Sequence, residues 1–144
     1  MAIADDFPLT LVHALSNRVT RSYYADVETK LGITLPEWRV LVTVAQEPGI
    51  TAAEITSYWA MEKMAVNRAI QRLLRSGRLT REKSADDARA YRLSLTPEGR
   101  RVYDEVLPVA DARYRHYMAA LTSEERKAWV AMMKKLIGRA NEPA

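Results

Sequence analysis

A basic segment from Glu62 to Arg101 holds the residues of this chain whose types and spacing suggest chemistry. It contains eleven Lys and Arg and five Asp and Glu, a net charge of +6, whereas the remaining residues sum to −2 within a total of +4. Positive charge focused in one part of a near-neutral chain is an electrostatic footprint for a polyanion. A charge run alone is more often a solvated surface, so the spacing of these residues must distinguish the two.

A helix predicted from Glu62 to Ser76 has two different faces. An apolar stripe at i, i+3, i+4 and i+7 spacing, typical of a core face, is formed by Val66, Ala69, Ile70 and Leu73. Basic and amide side chains lie on another side: Asn67, Arg68, Gln71, Arg72 and Arg75. Arg can form paired hydrogen bonds with guanine, and Asn or Gln with adenine, while basic side chains also meet phosphates. The pattern favours a DNA-binding helix over an ordinary amphipathic surface helix.

Other chemistries lack their residues. The chain has no cysteine, which excludes disulfides, thiolate metal sites and thiol-based redox sensing. Its two histidines, His13 and His116, are too far apart in sequence to suggest a His-rich metal site. The sequence has neither a G-x-S-x-G nor a Walker motif, and its glycines stand singly at predicted helix ends. We therefore expect no enzyme activity, no metal and no cofactor.

Start and stop signals divide the chain into six helices and one hairpin. Three T-x-x-E capping boxes begin at Thr34, Thr51 and Thr122. The predicted helices cover 9–31, 36–46, 52–59, 62–76, 97–121 with a bend at Pro108, and 123–139; the strands are Leu79–Lys83 and Tyr91–Leu95. Short helices followed by a basic hairpin predict a mainly α fold, a winged helix-turn-helix with a two-stranded β-wing.

The long terminal helices have apolar faces and little core of their own to receive them. A second copy of the chain would cover those faces, so we expect a homodimer. Residues 1–144 then form one unit, with a DNA-binding lobe at 34–96 and dimerisation helices at 7–31 and 97–140. No apolar segment is long enough to span a membrane, and Met1 to Asp6 do not resemble a secretion signal. We expect a cytoplasmic protein.

The predicted wing adds a second basic element. Arg89 follows the turn, from where it could enter an adjacent minor groove, especially one narrowed by A·T-rich sequence. Asp87 is expected to hold the wing in shape by pairing with Arg81 or Arg89, at about 0.5–1 kcal/mol.

These residues resemble the MarR (multiple antibiotic resistance regulator) family of winged helix-turn-helix transcription factors. The resemblance covers essentially the whole chain, and its most specific part is Asp87-Ala-Arg89 followed by Leu93-Ser-Leu95-Thr96-Pro97-Glu98-Gly99. Leu35 to Leu41 and Leu73 to Arg81 agree as well. The resemblance implies a homodimer on a near-palindromic operator, with the fourth helix in the major groove and the wing in the minor groove.

The chain departs from the family pattern in its recognition helix and wing. Ser84 stands where the family often has an acid, and Met64, Ala65 and Asn67 replace its usual Ser and Thr. Base readout is then expected from Asn67 and Arg68, with Met64 or Ala65 against thymine methyls. The full predicted DNA-binding set is Thr51, Lys63, Met64, Ala65, Asn67, Arg68, Gln71, Arg72, Arg75 and Arg89.

The resemblance also implies a small-molecule effector, an anionic aromatic compound bound between the dimerisation helices and the DNA-binding lobe. Trp38 and Arg39 could hold its ring and carboxylate, and His13, Ser16 and Asn17 could hydrogen-bond its substituents. Two simpler roles stay open: Trp38 as a core residue, and Arg39 as the partner of Glu28 or Glu37.

We therefore predict a sequence-specific, double-stranded-DNA-binding repressor that a small aromatic or phenolic carboxylate releases from its operator. The alternative is a winged helix that binds phosphates or a protein partner without reading sequence.

Overall fold

The structure is a computed structural model that describes residues 7–143. Met1 to Asp6, on which the expectation of no secretion signal was based, and Ala144 lie outside the described residues. The chain divides into two compact units, Met1–Val109 and Ala110–Ala144. In the described range, no helix combines the length and hydropathy needed to cross a membrane.

The predicted mainly helical winged helix-turn-helix is confirmed. Helix α1 begins as Pro8–Tyr23, continues through the π-helical turn Tyr24–Glu28 and ends with Thr29–Leu31. The elements that follow are α2 (Leu35–Gln46), α3 (Ala52–Trp59), α4 (Lys63–Arg75), β1 (Leu79–Lys83), β2 (Tyr91–Leu95), α5 (Pro97–Met118) and α6 (Ser123–Ala140).

Helix ends follow the expected capping chemistry. In each of the three T-x-x-E boxes the threonine hydroxyl accepts a hydrogen bond from the glutamate amide, and the glutamate carboxylate accepts one from the threonine amide. These bonds satisfy amides that a helix start otherwise leaves unpaired. The capping boxes therefore set where α2, α3 and α6 begin.

Two details differ from the expected helices. Helix α1 contains a π-turn, in which the Thr29 amide donates to the Tyr24 carbonyl five residues earlier. Helix α5 ends at Met118 instead of Leu121 because the next amides, of Ala120 and Leu121, bond carbonyls only three residues back. Pro108 lies inside α5 without ending it.

The core of the first unit lies where α2, α4 and the hairpin meet. Leu41 and Val44 of α2, Leu73 of α4 and Leu93 of β2 are at most 2% exposed. Burying an apolar side chain of this size contributes about 1.5–3 kcal/mol. The end of α1 joins this core through Val27, which is fully buried. The buried stripe of α4 therefore faces this core.

The hairpin is short and antiparallel, with Leu79 opposite Leu95 and Lys83 opposite Tyr91. The loop before α3 extends the pairing, because the Gly49 amide donates to the Leu93 carbonyl and the Leu93 amide donates to that of Ile50. The wing is thus attached by backbone hydrogen bonds to the segment that precedes the helix-turn-helix.

The junction between β2 and α5 is closely packed. Thr96 caps the helix by accepting from the Gly99 amide at 3.0 Å, and its hydroxyl donates to the Gly77 carbonyl at 2.5 Å. A Cβ on Gly99 would lie 1.9 Å from the carbonyl oxygen of Arg78. Glycine is required here because the backbone of Arg78, in the turn between α4 and β1, lies directly against the start of α5.

Replacing Gly99 by alanine should therefore destabilise the protein by more than about 2 kcal/mol, since the obstacle is backbone and cannot rotate away. Thermal unfolding followed by circular dichroism measures the effect. Gly138→Ala is the control, because a Cβ there meets nothing within 4 Å and helix propensity alone predicts a small gain. Equal melting temperatures for Gly99→Ala and the wild type would contradict the assigned contact.

Candidate nucleic-acid interface

Helix α4 presents a polar, basic face opposite its core face. Val66, Ala69, Ile70 and Leu73 are buried, as the spacing predicts. Most of the predicted contact residues on this helix are exposed: Lys63, Met64, Arg68, Gln71, Arg72 and Arg75. Ala65 and Asn67 are half-buried at the edges of that face. Within residues 7–143 none of the four basic side chains lies within ion-pair distance of a carboxylate, so their charge faces solvent.

The start of α4 is also open to a ligand. Its N-cap residue, Glu62, makes no side-chain capping hydrogen bond, in contrast to the capping boxes of α2 and α3. Met64, at the second position of the helix, is 58% exposed. Unsatisfied amides at a helix start favour an anion such as a phosphate.

Thr51 has a structural task in addition to any DNA contact. Its hydroxyl accepts from the Glu54 amide at 3.3 Å and donates to Glu54 Oε2 at 2.9 Å. Hydrogen bonds from the Thr51 amide and then its hydroxyl lower the pKa of Glu54 below its usual value. Thr51 therefore holds the start of α3, the first helix of the helix-turn-helix.

Arg89 lies on an exposed turn of the wing, as expected. Asp87 holds that turn by bonding a backbone amide and not an arginine side chain. Asp87 Oδ1 accepts from the backbone amide of Arg89 at 2.9 Å. The guanidinium of Arg81 instead lies 4.4 Å from the Tyr91 ring centroid. The expected side-chain pairing of Asp87 with Arg81 or Arg89 is thus wrong, because a short carboxylate two residues before an amide closes an Asx turn on the backbone.

Two wing residues outside the predicted set hold the hairpin. Arg92 bonds Asp86 Oδ2 and the Gly49 carbonyl, both at 3.2 Å. Ser84 is buried, and its hydroxyl accepts from the Asp86 amide at 3.3 Å. Ser84, which stands where the family often has an acid, therefore still stabilises the turn. The two Arg92 bonds join residues that are brought together by the hairpin and by its pairing with the loop before α3.

The predicted effector residues occupy different environments. Trp38 is 9% exposed and its ring stacks on Tyr103, 5.6 Å between centroids, which is the core role left open above. His13, Ser16 and Asn17 are exposed on α1. Within residues 7–143, no hydrogen bond, ion pair or ring contact joins these three side chains to Trp38 or Arg39.

Arg39 is half-buried beside an aromatic ring. Its guanidinium carbon lies 5.1 Å from the Trp59 ring centroid, and burial lowers its pKa below the usual value. Neither Glu28 nor Glu37 pairs with it, and Glu37 is used by the capping box of α2. In the described part of the chain Arg39 has no carboxylate within ion-pair distance.

A cavity of about 320 Å³ lies on the flank of α4, beside the end of α1 and the start of α2. Three of its lining residues are charged, namely Glu28, Arg68 and Arg72. The others are Thr34, Pro36, Ala65 and Ala69. Two of the predicted DNA-binding arginines thus border this cavity, and both remain exposed.

The exposed basic face of α4 and the adjacent basic wing define the class, a winged helix-turn-helix protein with a nucleic-acid-binding surface. Comparison with known proteins then shows what this chain is similar to. A MarR family model matches residues 31–90, which include the helix-turn-helix and most of the hairpin. Over those residues the chain resembles the MarR family.

Relatives and solved structures agree over almost the full length. The chain is 29% identical over 136 residues to the HTH-type transcriptional repressor Rv2887 of Mycobacterium tuberculosis, covering 94% of this chain and 98% of that one. A MarR-family regulator from Silicibacter pomeroyi superposes with a TM-score of 0.82 at 25% identity, covering 92% and 89% of the two chains. The PcaV regulator of Streptomyces coelicolor, solved with its natural ligand, gives 0.82 at 22% identity, covering 98% and 100%.

The Asx turn of the wing can be tested by limited digestion with trypsin, which cleaves after Arg89. Asp87→Ala removes the acceptor for the Arg89 amide and should speed cleavage there about two- to tenfold, because one hydrogen bond is worth about 0.5–1.5 kcal/mol. Asp87→Asn loses the same charge but keeps an acceptor oxygen, so it should be cleaved at nearly the wild-type rate. Equal cleavage rates for the two variants, read by mass spectrometry, would contradict the turn.

Proposed function

We propose that this chain is a sequence-specific, double-stranded-DNA-binding transcriptional repressor and not an enzyme. The observation that carries the proposal is the exposed basic and amide face of α4 directly opposite its buried stripe. The wing, with Arg89 exposed, lies next in the chain and is joined to the loop before α3. A regulator of this kind is expected in the cytoplasm, where DNA is accessible.

In the proposed complex α4 enters the major groove and the wing enters the neighbouring minor groove. Arg68 and Gln71 have exposed side chains suited to base edges, and Met64 can contact thymine methyls. Lys63, Arg72 and Arg75 are placed to meet phosphates. Asn67 contributes from its half-buried edge, together with Ala65 and Thr51.

We further propose that the repressor is a homodimer on a near-palindromic operator. The first unit exposes apolar side chains of α1, including Leu9, Leu11 and Leu15 at 55%, 50% and 41%. The second unit exposes Leu136 and Ile137 of α6 at 48% and 58%. Apolar faces of this kind are favourable to bury against a second copy. Two recognition helices would then meet half-sites about 34 Å apart.

A binding titration tests the proposal. The duplexes are an operator selected from genomic fragments and its scrambled version, each measured at two salt concentrations. We expect at least about a 10³-fold preference for the operator, with two chains bound per operator. Arg89→Ala should weaken binding, most where the flanks are A·T-rich, because that is where the minor groove is narrow.

Equal binding to both duplexes with a steep salt dependence would favour the alternative, a winged helix that contacts phosphates only. No binding to any duplex would refute the proposed function as a whole. An unchanged affinity of Arg89→Ala would remove the wing from the interface.

We also propose that a small aromatic or phenolic carboxylate releases the repressor. Arg39 supports this, since a half-buried cation beside an indole ring offers both a charge partner and a stacking surface. PcaV, of similar fold, was solved with a natural ligand. Trp38 would border the site as a core residue, and His13, Ser16 and Asn17 would approach from α1. A tenfold loss of DNA affinity requires about 1.4 kcal/mol of differential binding between the two states.

Release can be measured by adding a panel of hydroxybenzoates to the operator complex. In Arg39→Ala we expect DNA binding to persist while the effector concentration for half-release rises at least about tenfold, because a charged hydrogen bond is lost. Arg126→Ala, an exposed arginine of α6, is the matched control and should respond like the wild type. Identical release curves for Arg39→Ala and the control would remove Arg39 from the effector site.

A further inference from the structure

Glu28 is the last residue of the π-turn of α1. Inserting a π-turn adds one residue to the helix, so the side chains after it occupy different positions from those of a regular α-helix. The segment is anchored by Val27, which is fully buried, and by the hydroxyl of Tyr23, which donates to the Ile33 carbonyl at 3.2 Å. Glu28 follows directly and is half-buried. The backbone at Glu28 is therefore held by the fold, and its side chain is partly buried.

Glu28 shares its surroundings with two cations of the recognition helix. It lines the same cavity as Arg68 and Arg72, which lie one turn apart on the flank of α4. The four other lining residues are uncharged. Within residues 7–143 neither arginine has a carboxylate within ion-pair distance, and Glu28 has no Lys or Arg side chain within that distance. The cavity thus combines two positive charges and one negative charge that are near one another without a formed salt bridge.

This arrangement matters for DNA binding because Arg68 and Arg72 belong both to the predicted DNA-binding face and to the lining of the cavity. DNA phosphates attract the positive charge of a guanidinium. A carboxylate that lines the same cavity opposes that attraction. Partial burial strengthens the effect of Glu28, since nearby protein screens charge less than water does. A negative side chain beside the recognition helix also repels the DNA backbone directly.

We propose that Glu28 is a built-in counter-charge for Arg68 and Arg72, which lowers the affinity of the protein for DNA of any sequence. This inference rests on the proposed function, because it concerns the same DNA-binding face. It assigns a role in binding to a residue of α1 that lies outside the recognition helix and the wing. The role is electrostatic and requires no contact between Glu28 and DNA.

Fluorescence anisotropy with a mixed-sequence duplex of about 30 base pairs, roughly three helical turns, provides the test. Glu28→Gln should bind about fivefold more tightly than the wild type at low salt, because one opposing charge is removed at nearly constant shape. The gain should shrink as added salt screens the charges. Glu28→Asp keeps the charge and should stay close to the wild type. Asp104→Asn, an exposed acid on α5, controls for the change in net charge.

A double-mutant cycle separates a local effect from a general one. With Arg72→Gln as the background, Glu28→Gln should give less than half of its original gain, since one of the two shared cations is gone. The proposal is overturned if Glu28→Gln binds no more tightly than Asp104→Asn, or if its gain is unchanged without Arg72. Melting temperatures identify variants whose fold is damaged. If Glu28→Gln is such a variant, Glu28→Asp provides the test, and tighter DNA binding by Glu28→Asp than by the wild type would overturn the proposal. A wild type that binds no duplex would instead refute the proposed function.

Discussion

Burial of one stripe of α4 is the constraint on which the rest of the structure depends. Val66, Ala69, Ile70 and Leu73 are at most 5% exposed, and each fully buried apolar side chain contributes about 1.5–3 kcal/mol. Turning the helix about its axis would expose this stripe, so the orientation of α4 is fixed by its core. The basic and amide face then points outward by geometry. The interface is thus a consequence of packing, and it requires no separate stabilisation of the polar residues.

The wing depends on a different type of interaction. Its strands are short and mostly exposed, so backbone hydrogen bonds to Gly49 and Ile50 and the bonds of Arg92 hold it in place. The contact of Gly99 with the Arg78 carbonyl fixes where α5 leaves the hairpin. A shared junction therefore connects the end of the recognition helix, the wing and the first turn of α5.

Charge is distributed around this scaffold in two ways. On the outward face of α4 the cations are exposed, which suits a polyanion that binds from solution. On its flank Arg68 and Arg72 share a cavity with Glu28, and in the start of α2 Arg39 is half-buried beside Trp59. Of these cations Arg39 is partly desolvated, whereas Arg68 and Arg72 are exposed and border a half-buried carboxylate. The proposed effect on DNA affinity acts through that nearby counter-charge.

The sequence by itself determined the elements and the outward face of the recognition helix. Local signals were sufficient there: capping boxes fixed helix starts to within a residue or two, and the period of Val66 to Leu73 identified the core side. Only the tertiary structure decided which polar atoms meet. Asp87 bonds an amide instead of a guanidinium, Trp38 packs on Tyr103, and Glu28, at the end of a π-turn, lines a cavity on the flank of α4. Helix periodicity and capping act within a few residues, whereas the Trp38 and Glu28 contacts join residues distant in sequence. The Asp87 contact is local, but the choice between an amide and a guanidinium depends on how the turn closes.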